Sequence, residues 1–276
     1  MDIGVFNTLT IARLTKVGLF LTDGKDDVLL PLKYVPKVYE IGEEIAVFVY
    51  LDHEERIVAT TLQPYVTVDD FAFLRVNYTN SFGAFLDWGL EKDLFVPFKE
   101  QARPMEKGKR YLVYAYLDEK SNRIVASSRT NKFLSNDELT VTQGEEVDLI
   151  ISHITDLGIN VIVNKLHKGL LYSNEVYTDI RTGDKHVGYI KNIRPDNKID
   201  VSLQKLGYES IEPNAAIILN ELRASRGFIR LNDDSHPEDI KTVLKMSKKT
   251  FKKAIGSLYK DKKIEIKPDG IYLLEN

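Results

Sequence analysis

The chain has 276 residues, a formal net charge of −3 and no cysteine. This charge argues against a uniformly basic nucleic-acid binder, and the missing cysteines exclude disulfides and thiolate metal sites. No apolar run approaches the roughly 18 residues of a membrane helix, and the acidic N-terminus lacks a signal-like apolar segment. We therefore expect a soluble, cytoplasmic protein.

A pattern of three landmarks occurs three times along the chain. The landmarks are an apolar run entered through glycine, a turn centred on glycine, and a basic residue followed by an apolar run. They begin at residues 17, 40 and 56, at 82, 106 and 123, and at 157, 181 and 198. The nearly constant offsets, 65 to 67 and then 75 residues, indicate one small module repeated in tandem.

Each repeat is rich in short runs of alternating polarity, which predict β-strands. Ile45, Val47, Val49 and Leu51 fall on one face of such a run. About five short strands, bent at glycines, suit a five-stranded Greek-key barrel of the OB type. We therefore predict a mainly β protein of tandem OB-type barrels, followed by a C-terminal α+β domain.

The second repeat carries the most specific motif. It runs from Phe82-Gly83-Ala84-Phe85 through Leu94-Phe95-Val96-Pro97 and a Gly-Lys turn to Arg123-Ile124-Val125. This order resembles an S1 RNA-binding domain. The third repeat offers Gly169-Leu170-Leu171-Tyr172-Ser173-Asn174-Glu175 at the corresponding place. The S1 resemblance covers roughly residues 1 to 205.

The S1 resemblance implies that single-stranded RNA stacks on exposed aromatic residues while basic residues follow its backbone. The positions that match this set are Phe82, Phe85 and Arg123 in the second repeat, and Tyr172 and Lys198 in the third. The competing interpretation is that the aromatics are barrel core and the arginine is an ordinary solvated charge.

The first repeat keeps only part of the S1 set. It keeps Phe20 and Arg56 but has Val17 and Pro31 at the other positions. Residues 1–63 carry a net charge of −4, against +1 for residues 69–131 and −1 for residues 140–206. Because phosphate binding needs positive potential, we expect the first repeat to be mainly structural and the second to hold the most complete stacking face.

From Pro213 the apolar period changes to that of helices. The order of elements predicted there is a helix from Pro213, a short strand at 228–231, a helix over 236–245 opened by a capping box at Ser235, a helix over 247–260 capped by Ser247, and a hairpin over 264–274. This is the order of a winged-helix domain.

The helix over 247–260 is predicted to be the recognition helix of that domain. Residues 241–263 contain nine lysines and one aspartate. Four of the lysines lie away from the apolar stripe of the helix and are candidate phosphate contacts: Lys248, Lys249, Lys252 and Lys253. Lysine reads bases poorly, so we expect weak sequence specificity. A merely solvated lysine-rich helix is the alternative.

The whole chain is similar to the conserved virulence factor B family of bacterial S1-containing proteins. The repeats and the order of the C-terminal elements predict barrels at 1–64, 68–135 and 139–207 and a winged helix at 210–276. The resemblance implies a cytoplasmic RNA-binding protein that prefers single strands and regulates virulence gene expression after transcription.

Two other functions stay open: a protein-docking or ribosome-associated adaptor, and a duplex-DNA binder acting through the winged helix. An enzyme is not expected, because the five histidines show no metal-ligand spacing and the chain has no Gly-rich phosphate loop. We predict no cofactor, metal or membrane partner. The oligomeric state stays open.

Overall fold

The computed structural model describes residues 1–173, 176, 179–204 and 213–274. The chain divides into two compact units, Met1–Leu203 and Gln204–Asn276. The predicted boundary between residues 207 and 210 lies outside the described residues, as do Asn174 and Glu175 of the third S1-like motif.

The first unit contains three closed five-stranded barrels. Barrel 1 consists of β1 (Phe6–Leu14), β2 (Gly18–Thr22), β3 (Asp27–Pro31), β4 (Glu44–Leu51) and β5 (Ile57–Thr60). Barrel 2 consists of β6 (Asp70–Thr79), β7 (Gly83–Asp87), β8 (Leu94–Pro97), β9 (Arg110–Asp118) and β10 (Arg123–Ser127). Barrel 3 consists of β11 (Glu146–Thr155), β12 (Gly158–Val163), β13 (His167–Leu171), β14 (Lys185–Ile193) and β15 (Ile199–Ser202). In all three the order around the barrel is first, second, third, fifth and fourth strand, and the predicted fold class is confirmed.

A β-bulge interrupts the first strand of every barrel at the equivalent position. In barrel 2 the register shifts between Val76 and Tyr78. The second landmark braces this bulge: Gly108 N–H donates to Val76 C=O at 2.8 Å, and Val76 N–H donates to Lys109 C=O at 2.9 Å. Because Gly108 has φ +83°, in the left-handed region, glycine suits this turn.

The glycine of the first landmark permits a close approach between neighbouring strands. A Cβ on Gly83 would lie 2.2 Å from the carbonyl oxygen of Val96, and one on Gly18 would lie 2.0 Å from that of Leu30. Both obstacles are backbone atoms, which cannot rotate away as a side chain can. The conserved geometry of the repeat therefore requires glycine where β2 and β7 begin.

The barrels of the first unit pack on one another through apolar side chains. Phe48 of barrel 1 is fully buried in the same cluster as the core of barrel 2 and meets Trp88 edge-on, with ring centroids 5.7 Å apart. Barrels 2 and 3 share a smaller cluster that includes Phe71, Leu112 and Ile162. This packing holds the barrels in one compact unit.

The second unit has the predicted helix–strand–helix–helix–hairpin order. Its elements are α1 (Pro213–Ala224), β16 (Phe228–Ile229), α2 (Pro237–Leu244), α3 (Lys248–Lys260), β17 (Ile264–Lys267) and β18 (Gly270–Leu273). The three strands form one sheet in the order β16, β18, β17. The core buries the predicted apolar stripe of α3, which is Phe251, Ala254, Ile255 and Leu258.

The two predicted helix caps had different outcomes. Ser247 is the N-cap of α3, and its side chain accepts a hydrogen bond from Thr250 N–H at 3.1 Å, as predicted. The capping box at Ser235 was wrong, since the N-cap of α2 is His236 and makes no side-chain cap bond. The Ser235 hydroxyl instead turns back to accept from Asn232 N–H at 2.8 Å.

We predict that Gly83→Ala lowers the stability of the first unit by about 1–3 kcal/mol, because the new Cβ must push backbone apart. Gly256→Ala in α3 provides a contrast, because a Cβ there meets nothing within 4 Å. Alanine is more favourable than glycine in a helix by about 1 kcal/mol, so this variant should be more stable. Differential scanning calorimetry should therefore show midpoints moving in opposite directions. A neutral Gly83→Ala would contradict the close-approach argument.

Candidate nucleic-acid interface

A groove of about 650 Å³ lies between barrels 1 and 2. It brings together three of the residues selected from the sequence, namely Phe82, Phe85 and Arg123. Barrel 1 contributes the opposite wall, including Tyr50, His53 and Glu55. The candidate site therefore belongs to two repeats, although the sequence motif that predicted it lies in one.

A row of aromatic rings follows the outer face of barrel 2 and lines this groove. Tyr78 stacks on Phe85 with ring centroids 4.5 Å apart and planes 8° apart. Phe95 continues the row, with its centroid 4.9 Å from that of Phe85. Beside the row, Phe82 is 71% exposed at the turn that enters β7. Tyr78 and Phe82 are exposed, whereas Phe85 and Phe95 are half-buried. Exposed flat rings are what unpaired bases stack on.

Strand register explains why these rings meet. Tyr78, Phe85 and Phe95 are successive Cα partners across β6, β7 and β8. Tyr78 faces outward because the bulge adds one residue after Val76, which is fully buried, and so reverses the alternation of β6.

Two members of the row, Tyr78 and Phe95, were not among the candidate site residues selected from the sequence. Phe95 was within reach of sequence reasoning, since it lies between Leu94 and Val96, both of which are buried. Alternation alone places Phe95 on the opposite, outer face. Tyr78 depends on a bulge that no local pattern indicates.

The equivalent rows of the other barrels are not aromatic throughout. Barrel 1 has Arg13, Phe20 and Leu29 at these positions, with the Arg13 guanidinium 4.4 Å from the centroid of the Phe20 ring. Barrel 3 has His153, Asn160 and Leu170. The three-ring row is thus particular to barrel 2.

The basic residue before the last strand is paired with a carboxylate in every barrel. Arg56 pairs with Asp52 at 2.7 Å, Arg123 with Glu55 at 2.5 Å, and Lys198 with Asp196 at 2.7 Å. All three basic side chains are exposed. Exposed ion pairs contribute about 0–1 kcal/mol, so a phosphate can replace the carboxylate at little cost.

In barrel 3, Tyr172 belongs to a polar cluster that the sequence did not indicate. Arg194 donates to the Tyr172 hydroxyl at 2.6 Å and to both carboxylate oxygens of Asp200, at 2.7 and 3.0 Å. The Arg194 guanidinium holds the pKa of Asp200, a buried residue, below its ordinary value. The Lys191 ammonium lies 5.9 Å from the centroid of the Tyr172 ring. Tyr172 is therefore half-buried and held in place beside two cations.

The lysines of α3 form a basic surface on the second unit. Lys249, Lys252 and Lys253 are exposed, and Lys248 is half-buried with its ammonium 3.3 Å from the carbonyl of Asp234. The first turn of α3 contains no acidic residue. Cations at a helix N-terminus oppose the helix dipole, so this arrangement favours an anionic partner.

Among the residues that the structure describes, no three or more His, Asp or Glu side chains cluster so that they could hold a metal ion. Across the same part of the chain, every helix is too short or too polar to span a membrane.

Comparison with known domain families identifies both ends of the chain. An S1 domain matches residues 3–62, and a CvfB-like winged helix domain matches residues 216–273. The S1 match thus falls on barrel 1, which keeps Phe20 but has Val17 and Pro31 at the other stacking positions. S1 and winged-helix domains are nucleic-acid-binding types, which defines the class of this protein as nucleic-acid binding.

Several proteins are similar along most of their length. YitL, an uncharacterized protein of Bacillus subtilis, is 28% identical over 93% of this chain and 89% of its own. Conserved virulence factor B of Staphylococcus epidermidis is 27% identical over 85% of this chain and 81% of its own. The Staphylococcus aureus protein of that name is 26% identical, with coverages of 85% and 80%. The chain is thus similar to the conserved virulence factor B proteins over most of its length, in keeping with the resemblance seen in its repeats and C-terminal order.

A solved structure also aligns with nearly the whole chain. It is a crystal structure of a multidomain protein with nucleic acid binding domains from Streptococcus pneumoniae. The TM-score is 0.43 and the identity 25%, over 99% of this chain and 98% of that one.

We predict that Asp200→Asn lowers the unfolding midpoint of the first unit at pH 7, because Arg194 and the Tyr172 hydroxyl lose their anion. Since the pKa of Asp200 is depressed in the folded state, its stabilisation is complete above the ordinary carboxyl range and is lost as pH falls through the lowered pKa. The wild-type and variant midpoints should converge on acidification in calorimetry between pH 7 and pH 3. Asp196→Asn, at an exposed pair, should change the midpoint less.

Proposed function

We propose that this protein binds single-stranded RNA with low sequence specificity and regulates gene expression after transcription. The observation that carries the proposal is the three-ring row of barrel 2, which lies beside an exposed Phe82 and an arginine in one groove. Stacking platforms flanked by cations accept any unpaired base, because every base has an aromatic face.

In this proposal the RNA contacts are divided among the domains. Phe82 and Phe85 stack bases, and Arg123 contacts the backbone. Tyr172 and Lys198 of barrel 3 extend the surface, and Lys248, Lys249, Lys252 and Lys253 of α3 contact further phosphates. Weak modules on one chain reinforce one another through effective concentration, so no single contact need be strong. The protein acts in the cytoplasm and without catalysis.

The lysines of α3 support an anionic ligand by a second route. Residues 241–263 carry a net charge of +8 in a chain whose total is −3. Such concentration produces a local positive potential that the overall charge conceals. The surface also suits duplex DNA, and this is the reason for including duplexes in the test.

Fluorescence anisotropy of the full-length protein with labelled single-stranded RNA, duplex RNA and duplex DNA, across a salt series, tests the proposal. We expect single-stranded RNA to bind most tightly and its affinity to fall steeply with salt. A preference for duplex DNA would assign the function to the winged helix. Failure to bind all three would reject the proposal in favour of a protein-docking adaptor.

Phe82→Ala should weaken single-stranded RNA binding by about 1–3 kcal/mol, the contribution of one stacked base. The salt dependence should change little, because no charge is removed. Phe82 is exposed, so the substitution spares the barrel core. Val17→Ala, at the equivalent exposed position of barrel 1, is the matched control and should bind like the wild type. Equal affinities for both variants and the wild type would remove Phe82 from the interface.

Replacing Lys249 and Lys252 by glutamine should weaken binding to all RNA sequences alike. Removing two phosphate contacts should reduce the slope of log affinity against log salt by about 1.4, at about 0.7 per contact on single strands. Lys25 and Lys37 are exposed in barrel 1 and do not line the groove, so their double glutamine variant controls for net charge. An unchanged slope in the α3 variant would contradict phosphate binding there.

A further inference from the structure

One carboxylate from barrel 1 enters the cationic side of the groove on barrel 2. Oε2 of Glu55 accepts from Nε and Nη2 of Arg123, at 2.8 and 2.5 Å. Its other oxygen lies 3.9 Å from Nζ of Lys92. All three residues line the groove that carries the aromatic row. An anion thus already occupies the position between the arginine and the lysine.

Glu55 departs from the repeat at this position. The equivalent turn residues of barrels 2 and 3 are Asn122 and Asn197, with φ of +53° and +59°. Asparagine tolerates the left-handed region better than most residues. Glu55 adopts φ +64° without that advantage. The backbone of barrel 1 is therefore strained at Glu55, in the turn that directs this carboxylate toward Arg123 of barrel 2.

Stability of the fold does not account for this arrangement. The side chains of Glu55 and Arg123 are 43% and 54% exposed, and ion pairs in such surroundings contribute little to stability. The two barrels are already joined by buried apolar contacts such as Phe48 on Trp88. An exposed, exchangeable pair fits a position where a ligand anion replaces the protein's own.

We infer that Arg123 and Lys92 form a binding subsite for an RNA phosphodiester, and that Glu55 occupies this subsite in the free protein. Backbone phosphate displaces Glu55 when bases stack on the aromatic row. The inference rests on the proposed function, since it names how the same groove holds the RNA backbone. It also gives barrel 1 a direct part in binding, as the source of the competing anion.

The chemistry of the two cations suits this exchange. A guanidinium presents parallel N–H donors that match a phosphate as well as a carboxylate. Lys92 is held in position by donating to the Asp52 carbonyl at 2.7 Å. Partial burial lowers the pKa of Lys92 from its ordinary value, so this ammonium benefits from a neighbouring anion.

A double-mutant cycle on the full-length protein tests the subsite, with a labelled oligouridylate as probe. Glu55→Gln should bind RNA about 3- to 10-fold more tightly, because Arg123 no longer has to release a carboxylate. Arg123→Gln should bind more weakly. In the Arg123→Gln background, Glu55→Gln should give little or no gain, because the cation that benefits is missing.

Glu54→Gln provides the matched control, since Glu54 lies in the same turn and pairs with Arg56 at 2.9 Å, away from Arg123. An equal gain from Glu54→Gln, or a gain from Glu55→Gln that persists without Arg123, would reduce the effect to general charge repulsion and overturn the subsite.

Inorganic phosphate supplies a readout that does not depend on RNA. Phosphate should raise the thermal midpoint of Glu55→Gln more than that of the wild type, and this difference should vanish in Glu55→Gln with Arg123→Gln. RNA binding that is equal in all variants, without a phosphate response, would overturn the subsite and leave the proposed function intact. A phosphate response in a protein that binds no RNA would support an anion subsite at Arg123 and reject the proposed function. Absence of both responses would reject both.

Discussion

The first unit depends on one constraint, a pair of backbone hydrogen bonds in each barrel. These two bonds brace the bulge in the first strand. In the first bond, at 2.8 Å in each barrel, the N–H of Gly42, Gly108 or Gly183 donates to the carbonyl of Ile11, Val76 or Ile151. In the second, the N–H of that strand residue donates to the carbonyl of the residue after the glycine, at 2.8 to 2.9 Å. The bulge adds one residue to a strand whose side chains otherwise alternate between core and solvent. Residues beyond it therefore reverse their direction, which turns Tyr78 outward onto Phe85.

The three barrels share one backbone frame but differ in their outer faces. The three barrels have the same strand order and the same bulge, so the same backbone geometry constrains their cores and turns. The outward positions are free of this constraint and differ among the barrels. Barrel 2 has three aromatic rings there, barrel 1 has Arg13 beside Phe20, and barrel 3 has a histidine and an asparagine. The repeats therefore differ mainly in the side chains that they present at their surfaces.

Packing of barrel 1 on barrel 2 creates a site that neither has alone. Trp88, which packs on the buried Phe48, also lines the groove in which Glu55 meets Arg123. Barrel 1 contributes negative charge to this contact, in keeping with its acidic composition. The acidity of barrel 1 argues against phosphate binding by that barrel itself. In the proposed subsite, its carboxylate at Glu55 instead competes with phosphate for Arg123 of barrel 2.

Much of the architecture follows from the sequence alone, because it depends on local patterns. Constant offsets between landmarks predicted three repeats, alternating polarity predicted barrels, and the apolar stripe through Phe251 and Leu258 predicted the buried face of α3. Ser247 was identified as a helix cap from its neighbours in sequence. The cap at Ser235 was not correctly predicted, since its hydroxyl bonds to a loop residue instead.

The composition of the candidate site was only partly accessible from the sequence. Phe82, Phe85 and Arg123 stand in a motif and could be selected by position, but their contacts could not. Tyr78 joins the row through a bulge, Glu55 reaches Arg123 from 68 residues away, and Arg194 contacts Tyr172 from 22 residues away. Sequence determined the module, its repetition and its helix faces, which arise from interactions between near neighbours. Only the tertiary structure decided which side chains share the groove, because strand register and barrel packing join residues that no local pattern connects.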